Sequence, residues 1–175
     1  TDILVVRQHN QIGDMLCSLT LYKALKKKYP DARITLAAAK TNYEIPFFDI
    51  NPYLDRVVIF DKSSHKTILR FINELRNRKY QIGIVPSTIV LSRTSHIINW
   101  ISGAKIRVGT KSINGKINPS HKYLNVKSDF NWENKHQAIR NLEVVNQIDC
   151  ELDDEEIKNI GIVINEEDSR EANSF

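Results

Sequence analysis

The sequence predicts an α/β domain built on a mostly parallel sheet with helices on both faces. Three observations carry this. Short apolar, β-branched runs recur along the chain at Ile3 to Val6, Arg33 to Ala38, Arg56 to Phe60, Tyr80 to Val85 and Ile106 to Gly109. Such runs suit strands buried on both sides. Between them lie segments whose apolar residues repeat at helical spacing, and regular alternation of the two element types is the pattern of a parallel sheet.

Taken in order, Ile3-Leu4-Val5-Val6 is the first strand, followed by a polar turn and a long helix that opens at Asp14. Leu21, Leu25 and Tyr29, with Tyr22 beside them, mark its apolar stripe. Pro30 disfavours helical geometry in the residue before it and ends the helix at Tyr29. After the second strand, Asn42 to Tyr53 carries Pro46 and Pro52 around Phe47-Phe48 and predicts a short helix and a turn. Asp61 closes the third strand. Ser64 to Arg78 is amphipathic, with Ile68, Phe71, Ile72 and Leu75 on one face. The fourth strand stops at Pro86-Ser87, and Leu91 to Ser102 is helical up to Gly103.

Residues 110–133 are rich in Lys, Asn and Ser and predict a long loop with one short strand at Tyr123-Leu124. Lys135 to Ile148 is a last strong helix. Gly161 to Ile164 reads as another strand or an extended linker, and Glu166 begins a further helix. Residues 1–150 therefore form the expected domain, and the acidic segment 151–175 leads toward a second one.

Bulk composition narrows the function. At 41% hydrophobic and 26% charged, the chain is ordinary for a globular protein. No apolar run approaches the roughly 18 residues of a membrane span, and the first residues lack a secretory pattern. Cys17 and Cys150 stand far apart without a C-x-x-C motif, which suits two buried thiols in a reducing, cytoplasmic setting. The net charge of +4 hides an asymmetry: residues 149–175 hold ten acidic and two basic side chains, so residues 1–148 carry 23 basic against 11 acidic. A balance of that sign favours anionic partners such as phosphates or an acidic membrane surface. Solvated helix faces such as Lys26-Lys27-Lys28 account for part of it.

Chemistry concentrates in the turn from Gln8 to Asp14, at the carboxyl end of the first strand, where ligands bind in open α/β sheets. Gly13 permits a tight backbone or close approach of a ligand. Amides at the start of the following helix favour an anion. Asp14 has two open roles. It is either a helix cap or a general base acting on a hydroxyl, and a good cap makes a weaker base.

Several other chemistries are excluded or unsupported. No G-x-x-x-x-G-K-[ST] is present, the turn has one glycine where a dinucleotide site needs three, and no G-x-S-x-G elbow occurs. His9, His65, His96, His121 and His136 lack metal-ligand spacing. The basic stretch Lys105 to Lys127, with Arg107, Lys111, Lys116, His121 and Lys122, is suited to a phosphorylated partner. Without regular aromatic interleaving it predicts no nucleic-acid partner.

The order of these pieces resembles the N-terminal domain of glycosyltransferase family 9, the ADP-heptose:lipopolysaccharide heptosyltransferases. The matching segments are Ile3 to Arg7 with Ile12-Gly13-Asp14, then Leu21 to Leu25 with Tyr29-Pro30-Asp31-Ala32, then Asn51 to Val57 with Phe60-Asp61-Lys62. Lys79 to Ile84, Ser102 to Gly109 and His136 to Leu142 continue the series. Asn10 and Gln11 stand where the family commonly has small hydroxyl residues, and Leu19-Thr20 where a Thr-Pro pair is common.

The resemblance implies a GT-B architecture, two Rossmann-like domains facing across a cleft, of which this chain is the acceptor-side half. It implies that Asp14 deprotonates an acceptor sugar hydroxyl, which attacks a nucleotide-activated heptose with inversion and without a metal or other cofactor. Arg7, His9, Asn10, Gln11 and Gly13 are then the candidate substrate-binding residues. ADP-heptose is the implied donor, held mostly by the C-terminal domain, so the piece alone is expected to fold but not to turn over. The implied acceptor is an anionic glycolipid, the lipopolysaccharide core, with peripheral contact at the inner face of the inner membrane. Two rivals stay open: a non-catalytic Rossmann-like binding module in which Asp14 only caps, and a GT-B enzyme using another sugar nucleotide.

Overall fold

In the computed structural model, which describes residues 1–8, 12–40, 50–86 and 91–162, the chain opens with β1 (Asp2–Arg7). Two short helices, α1 (Ile12–Leu16) and α2 (Leu19–Lys28), lead to β2 (Arg33–Ala39) and β3 (Arg56–Phe60). Next come α3 (His65–Arg76), β4 (Ile82–Ile84), α4 (Arg93–Ile101) and β5 (Ile106–Ile113). A hairpin adds β6 (Lys116–Ile117), and a 3-10 turn spans His121–Tyr123. The described chain ends with β7 (Val126–Phe130), α5 (Gln137–Asn146) and α6 (Asp154–Lys158).

The strands form one sheet in the order β3-β2-β1-β4-β5, with β7 beside β5. Every pairing is parallel except that of β5 with β6. The expected mostly parallel sheet is therefore present. β5 meets β4 only over Ile106 to Val108, and meets β6 further along at Ser112 and Ile113. Because β7 occupies the other edge of β5 at Val108 and again at Ser112, β4 and β6 share one edge. The β5–β6 hairpin thus rises beyond the carboxyl end of the short β4.

The core lies on both sides of β1, whose Ile3, Leu4, Val5 and Val6 are fully buried. Alternation sends Ile3 and Val5 into one layer with Leu21 and Leu25 of α2 and Leu142 and Val145 of α5. Leu4 and Val6 enter the opposite layer with Phe71 and Leu75 of α3 and Ile98 of α4. Each such side chain contributes about 1.5–3 kcal/mol of burial. With both faces covered and both edges paired, β1 presents polar chemistry only where it ends.

The structure corrects four expectations. The first helix is broken at Cys17-Ser18. Ser18 Oγ donates back to Met15 O at 2.5 Å, while Cys17 O accepts from Thr20 Oγ1 (3.2 Å) and from Asn141 Nδ2 of α5 (3.1 Å). Cys17 is consequently half-buried at this break, whereas Cys150 is buried and its thiol pKa is pushed up to about 11 by burial.

Residues 110–133 are no long loop. They extend β5 and supply β6 and β7, and Tyr123 closes the 3-10 turn instead of starting a strand. The polar sequence Val126-Lys127-Ser128-Asp129-Phe130 hides a strand because its residues are only partly buried. The acidic segment starts with a short helix, α6, closed by a capping box between Asp153 and Glu156.

The expected helix near Phe47-Phe48 falls mainly on residues outside those described, and Pro52-Tyr53 makes the expected turn. Val163, Ile164 and the segment from Glu166 also lie outside them. The lysine run on α2 is engaged: Lys26 pairs with Asp55 (3.0 Å), Lys27 with Glu156 (2.6 Å) and Lys28 with Asp149 (3.1 Å). Exposed pairs of this kind stabilise by at most about 1 kcal/mol each. Ile157 and Ile160 pack on the first core layer, so the start of the acidic segment is docked against α2.

At the centre of β4, α4 comes so close that a Cβ on Gly83 would lie 1.9 Å from Asn99 Oδ1 and 2.9 Å from Ala104 Cβ. Asn99 is fully buried and donates to Gly83 O. Gly83→Ala is expected to cost about 1–3 kcal/mol in chemical denaturation through overpacking, and an unchanged midpoint would contradict this packing.

Candidate active site

Strand order locates the site. From β1 the chain runs outward to β2 and β3, then crosses back to β4 on the other side of β1. The carboxyl ends of β1 and β4 flank this switch point, where open α/β sheets bind ligands. Arg7 and Gln8 lead from the end of β1 into α1, and Val85 and Pro86 follow the end of β4. His9, Asn10 and Gln11 lie outside the described residues.

Arg7 continues the alternation of Ile3 and Val5, so its side chain turns toward the layer that holds α1 and α2. It is 1% exposed, and Nη2 lies 3.9 Å from Asp14 Oδ2. Burial lowers the Arg7 pKa from its ordinary value, opposed by the nearby Tyr22, Asp14 and Cys17. Two unit charges about 4 Å apart attract by about 1 kcal/mol in water and about 4 kcal/mol near a protein surface. Taking an ion out of water costs several kcal/mol, so Asp14 offsets only part of the burial. Tyr22 is buried completely, which raises its phenol pKa and keeps it neutral. Burial and the nearby Asp14 also raise the Cys17 thiol pKa.

Asp14 is the third residue of α1, with its side chain about a third exposed at 32%. Among the described residues, no backbone amide donates to its carboxylate. Its one charged partner there is Arg7. Gly13 has neither a left-handed φ nor a neighbour within 4 Å of a Cβ, so its backbone does not demand glycine and the space beside it is open. Gln8 fixes the root of the turn by donating Nε2 to Ala37 O of β2 at 3.0 Å.

The direction of α1 is set by α5. Thr20 Oγ1 donates to Ala138 O at 2.9 Å, and the fully buried Asn141 reaches Cys17 O across the helix break. His136 caps α5 by accepting from Ala138 N through Nδ1 at 3.3 Å. The segment His136 to Leu142 therefore fastens the break between α1 and α2 from over a hundred residues away in sequence.

On the β4 side of the sheet, α4 carries a buried histidine that spacing did not single out. His96, 1% exposed, donates Nδ1–H to Ser92 O at 2.7 Å and accepts at Nε2 from Asn118 Nδ2 at 3.1 Å. Asn118 Nδ2 also donates to Thr110 O at 2.8 Å, which ties α4 to the β5–β6 hairpin. A buried polar side chain aimed between two elements is a signal legible only in three dimensions. Within the basic stretch, Arg107 donates to Tyr123 O and Ala104 O, Lys111 pairs with Asp129, and Lys127 donates to His121 O. Lys116 is exposed. Among the described residues, no His, Cys, Asp or Glu side chains cluster in threes to hold a metal ion, and no helix is long and apolar enough to cross a membrane.

Solved structures share this fold. The chain superposes on a glycosyl transferase family 9 protein from Veillonella parvula with a TM-score of 0.71 at 18% identity, covering 99% of this chain and 48% of that one. It superposes on E. coli ADP-heptose lipopolysaccharide heptosyltransferase II with a TM-score of 0.65 at 21% identity, covering 82% of this chain and 40% of the other. The E. coli heptosyltransferase WaaC, solved with ADP, gives a TM-score of 0.65 at 14% identity, with 85% and 47% covered. The chain thus spans less than half the length of these structures. No protein-family model and no curated protein matches the sequence. The fold is that of glycosyltransferase structures, as the order of motifs led one to expect.

Burial lowers the His96 pKa, with the Ser92 carbonyl opposing. Its folded value lies below the unfolded value of about 6.5, so this contribution is fully present above that pH and is lost as pH falls below it. In urea titrations, His96→Gln is expected to flatten the loss of stability below about pH 6.5; an identical slope would contradict a neutral buried His96. Asn141→Ala is expected to cost about 1–3 kcal/mol, because the Cys17 carbonyl loses a buried donor.

Proposed function

We propose that this chain is the acceptor-side domain of an inverting, metal-independent glycosyltransferase that moves a heptose, or a related sugar, from a nucleotide sugar to lipopolysaccharide core or a similar surface glycan. One observation carries the proposal: the carboxylate of Asp14 stands at the switch point, partly exposed, next to a buried cation and unused as a helix cap among the described residues. A carboxylate so placed is suited to take a proton from a hydroxyl entering the crevice. Likeness to glycosyltransferase structures, including WaaC solved with ADP and with ADP-2-deoxy-2-fluoro heptose, supports the substrate class.

In this scheme Asp14 accepts the proton of the acceptor hydroxyl as its oxygen attacks the anomeric carbon. The bond from that carbon to the nucleotide oxygen breaks, and the nucleoside diphosphate leaves with inversion. The donor is held mainly by a C-terminal domain facing the crevice, since the matched structures run to about twice the length of this chain. The isolated piece then binds and orients but does not turn over. His9, Asn10, Gln11 and Gly13 are the proposed acceptor-binding residues, and Arg7, also a candidate from the sequence, is buried behind Asp14. The basic balance of residues 1–148 suits a phosphorylated glycolipid acceptor and a peripheral position on the cytoplasmic face of the membrane that carries it.

The rival, a binding module with Asp14 as a mere cap, makes the opposite prediction for one variant. In the intact protein, Asp14→Asn is expected to cut sugar transfer by about 10²-fold or more with only a small decrease in the unfolding midpoint. A near-normal rate in a folded variant would sink the general-base role. Screening ADP-, UDP- and GDP-sugars with the wild-type protein separates the heptosyl reading from another nucleotide-sugar enzyme.

A further inference from the structure

We infer that Arg7 is a positioning residue for Asp14 and makes no contact with substrate itself. The inference rests on the general-base reading of Asp14 and deepens it. Charged side chains at the end of a buried strand usually turn to solvent. Arg7 does the reverse: it follows Ile3 and Val5 inward and ends 1% exposed below α1. A substrate in the crevice meets Asp14 first, because Asp14 retains its exposure while Arg7 has none.

The geometry gives Arg7 a defined job. Its nearest approach to the acid is from Nη2 to Oδ2, 3.9 Å, which is longer than a hydrogen bond and short enough for strong charge attraction. The cation therefore draws one carboxylate oxygen toward the protein, and the other oxygen is left to receive the acceptor proton. The guanidinium is buried in the layer of α1 and α2, and the break between those helices is fastened by Asn141. The charge attraction across 3.9 Å favours Asp14 staying over Arg7 instead of turning out to solvent. Lysine satisfies the charge requirement without the planar fork, and methionine fills the space without charge.

The test combines an unfolding cycle with kinetics on the intact protein, using Arg7→Met, Arg7→Lys, Asp14→Asn and the Arg7→Met/Asp14→Asn double variant. Asp14→Asn is expected to lower the thermal midpoint when Arg7 is present and to leave it unchanged in the Arg7→Met background. Equal shifts in both backgrounds overturn the pairing. In sugar transfer, Arg7→Met is expected to lower kcat by about tenfold or more with KM values within about twofold of wild type, and Arg7→Lys to recover most of the loss. A raised KM at unchanged kcat would instead make Arg7 a substrate contact. Lysine no better than methionine would also overturn the inference. Should Arg7→Met not fold, Arg7→Gln carries the same comparison. Absence of transfer by the wild-type protein counts against the glycosyltransferase reading alone, and the unfolding cycle still decides the pairing of Arg7 with Asp14.

Discussion

A guanidinium with 1% exposure sits at the end of a strand that is otherwise apolar on both faces. Removing an ion from water costs several kcal/mol, so the surroundings of Arg7 have to supply negative charge. Asp14 supplies part of it from the first turn of α1, 3.9 Å away. Much of the rest of the structure bears on keeping those two groups together. β1 is held between β2 and β4, Gln8 fastens its end to β2, and the helix break at Cys17-Ser18 sets where α1 stops. Helix α5 then pins that break through Asn141 and Thr20.

Function follows from where this pair lies. The outward run to β3 and the return to β4 open the sheet at the carboxyl end of β1, where the pairing with β4 ends at Val5 while that with β2 continues to Arg7. On the far side, His96 and Asn118 join α4 to the β5–β6 hairpin, which extends past the short β4. A partly exposed carboxylate just beyond the carboxyl end of β1 suits chemistry on a hydroxyl. The buried histidine is built as a neutral strut, with both ring nitrogens engaged.

Much of the fold was legible in the sequence, for a physical reason. β1 to β5 are apolar runs buried in the sheet, and α3 and α4 keep one clean apolar face. β7 escaped notice because it carries half-buried Lys127 and Ser128 and exposed Asp129, so no hydrophobic run announces it. The break in the first helix was equally invisible, since its partner Asn141 lies 124 residues away. Asp14 was legible as a candidate but not in its role, because cap and base share the same sequence position. The alternation Ile3, Val5, Arg7 did contain the clue that Arg7 points inward. A charged side chain ordinarily argues against reading it that way.

The central claim is that Asp14 faces the reacting carbon of a sugar donor across the switch-point crevice. A crystal structure of the intact protein with an unreactive fluorinated nucleotide sugar and its acceptor tests this directly. The account predicts the Asp14 carboxylate within hydrogen-bond distance of the acceptor hydroxyl, on the side of the anomeric carbon opposite the leaving diphosphate. An acceptor hydroxyl held by another base, with Asp14 turned onto the backbone amides of its own helix, would contradict it.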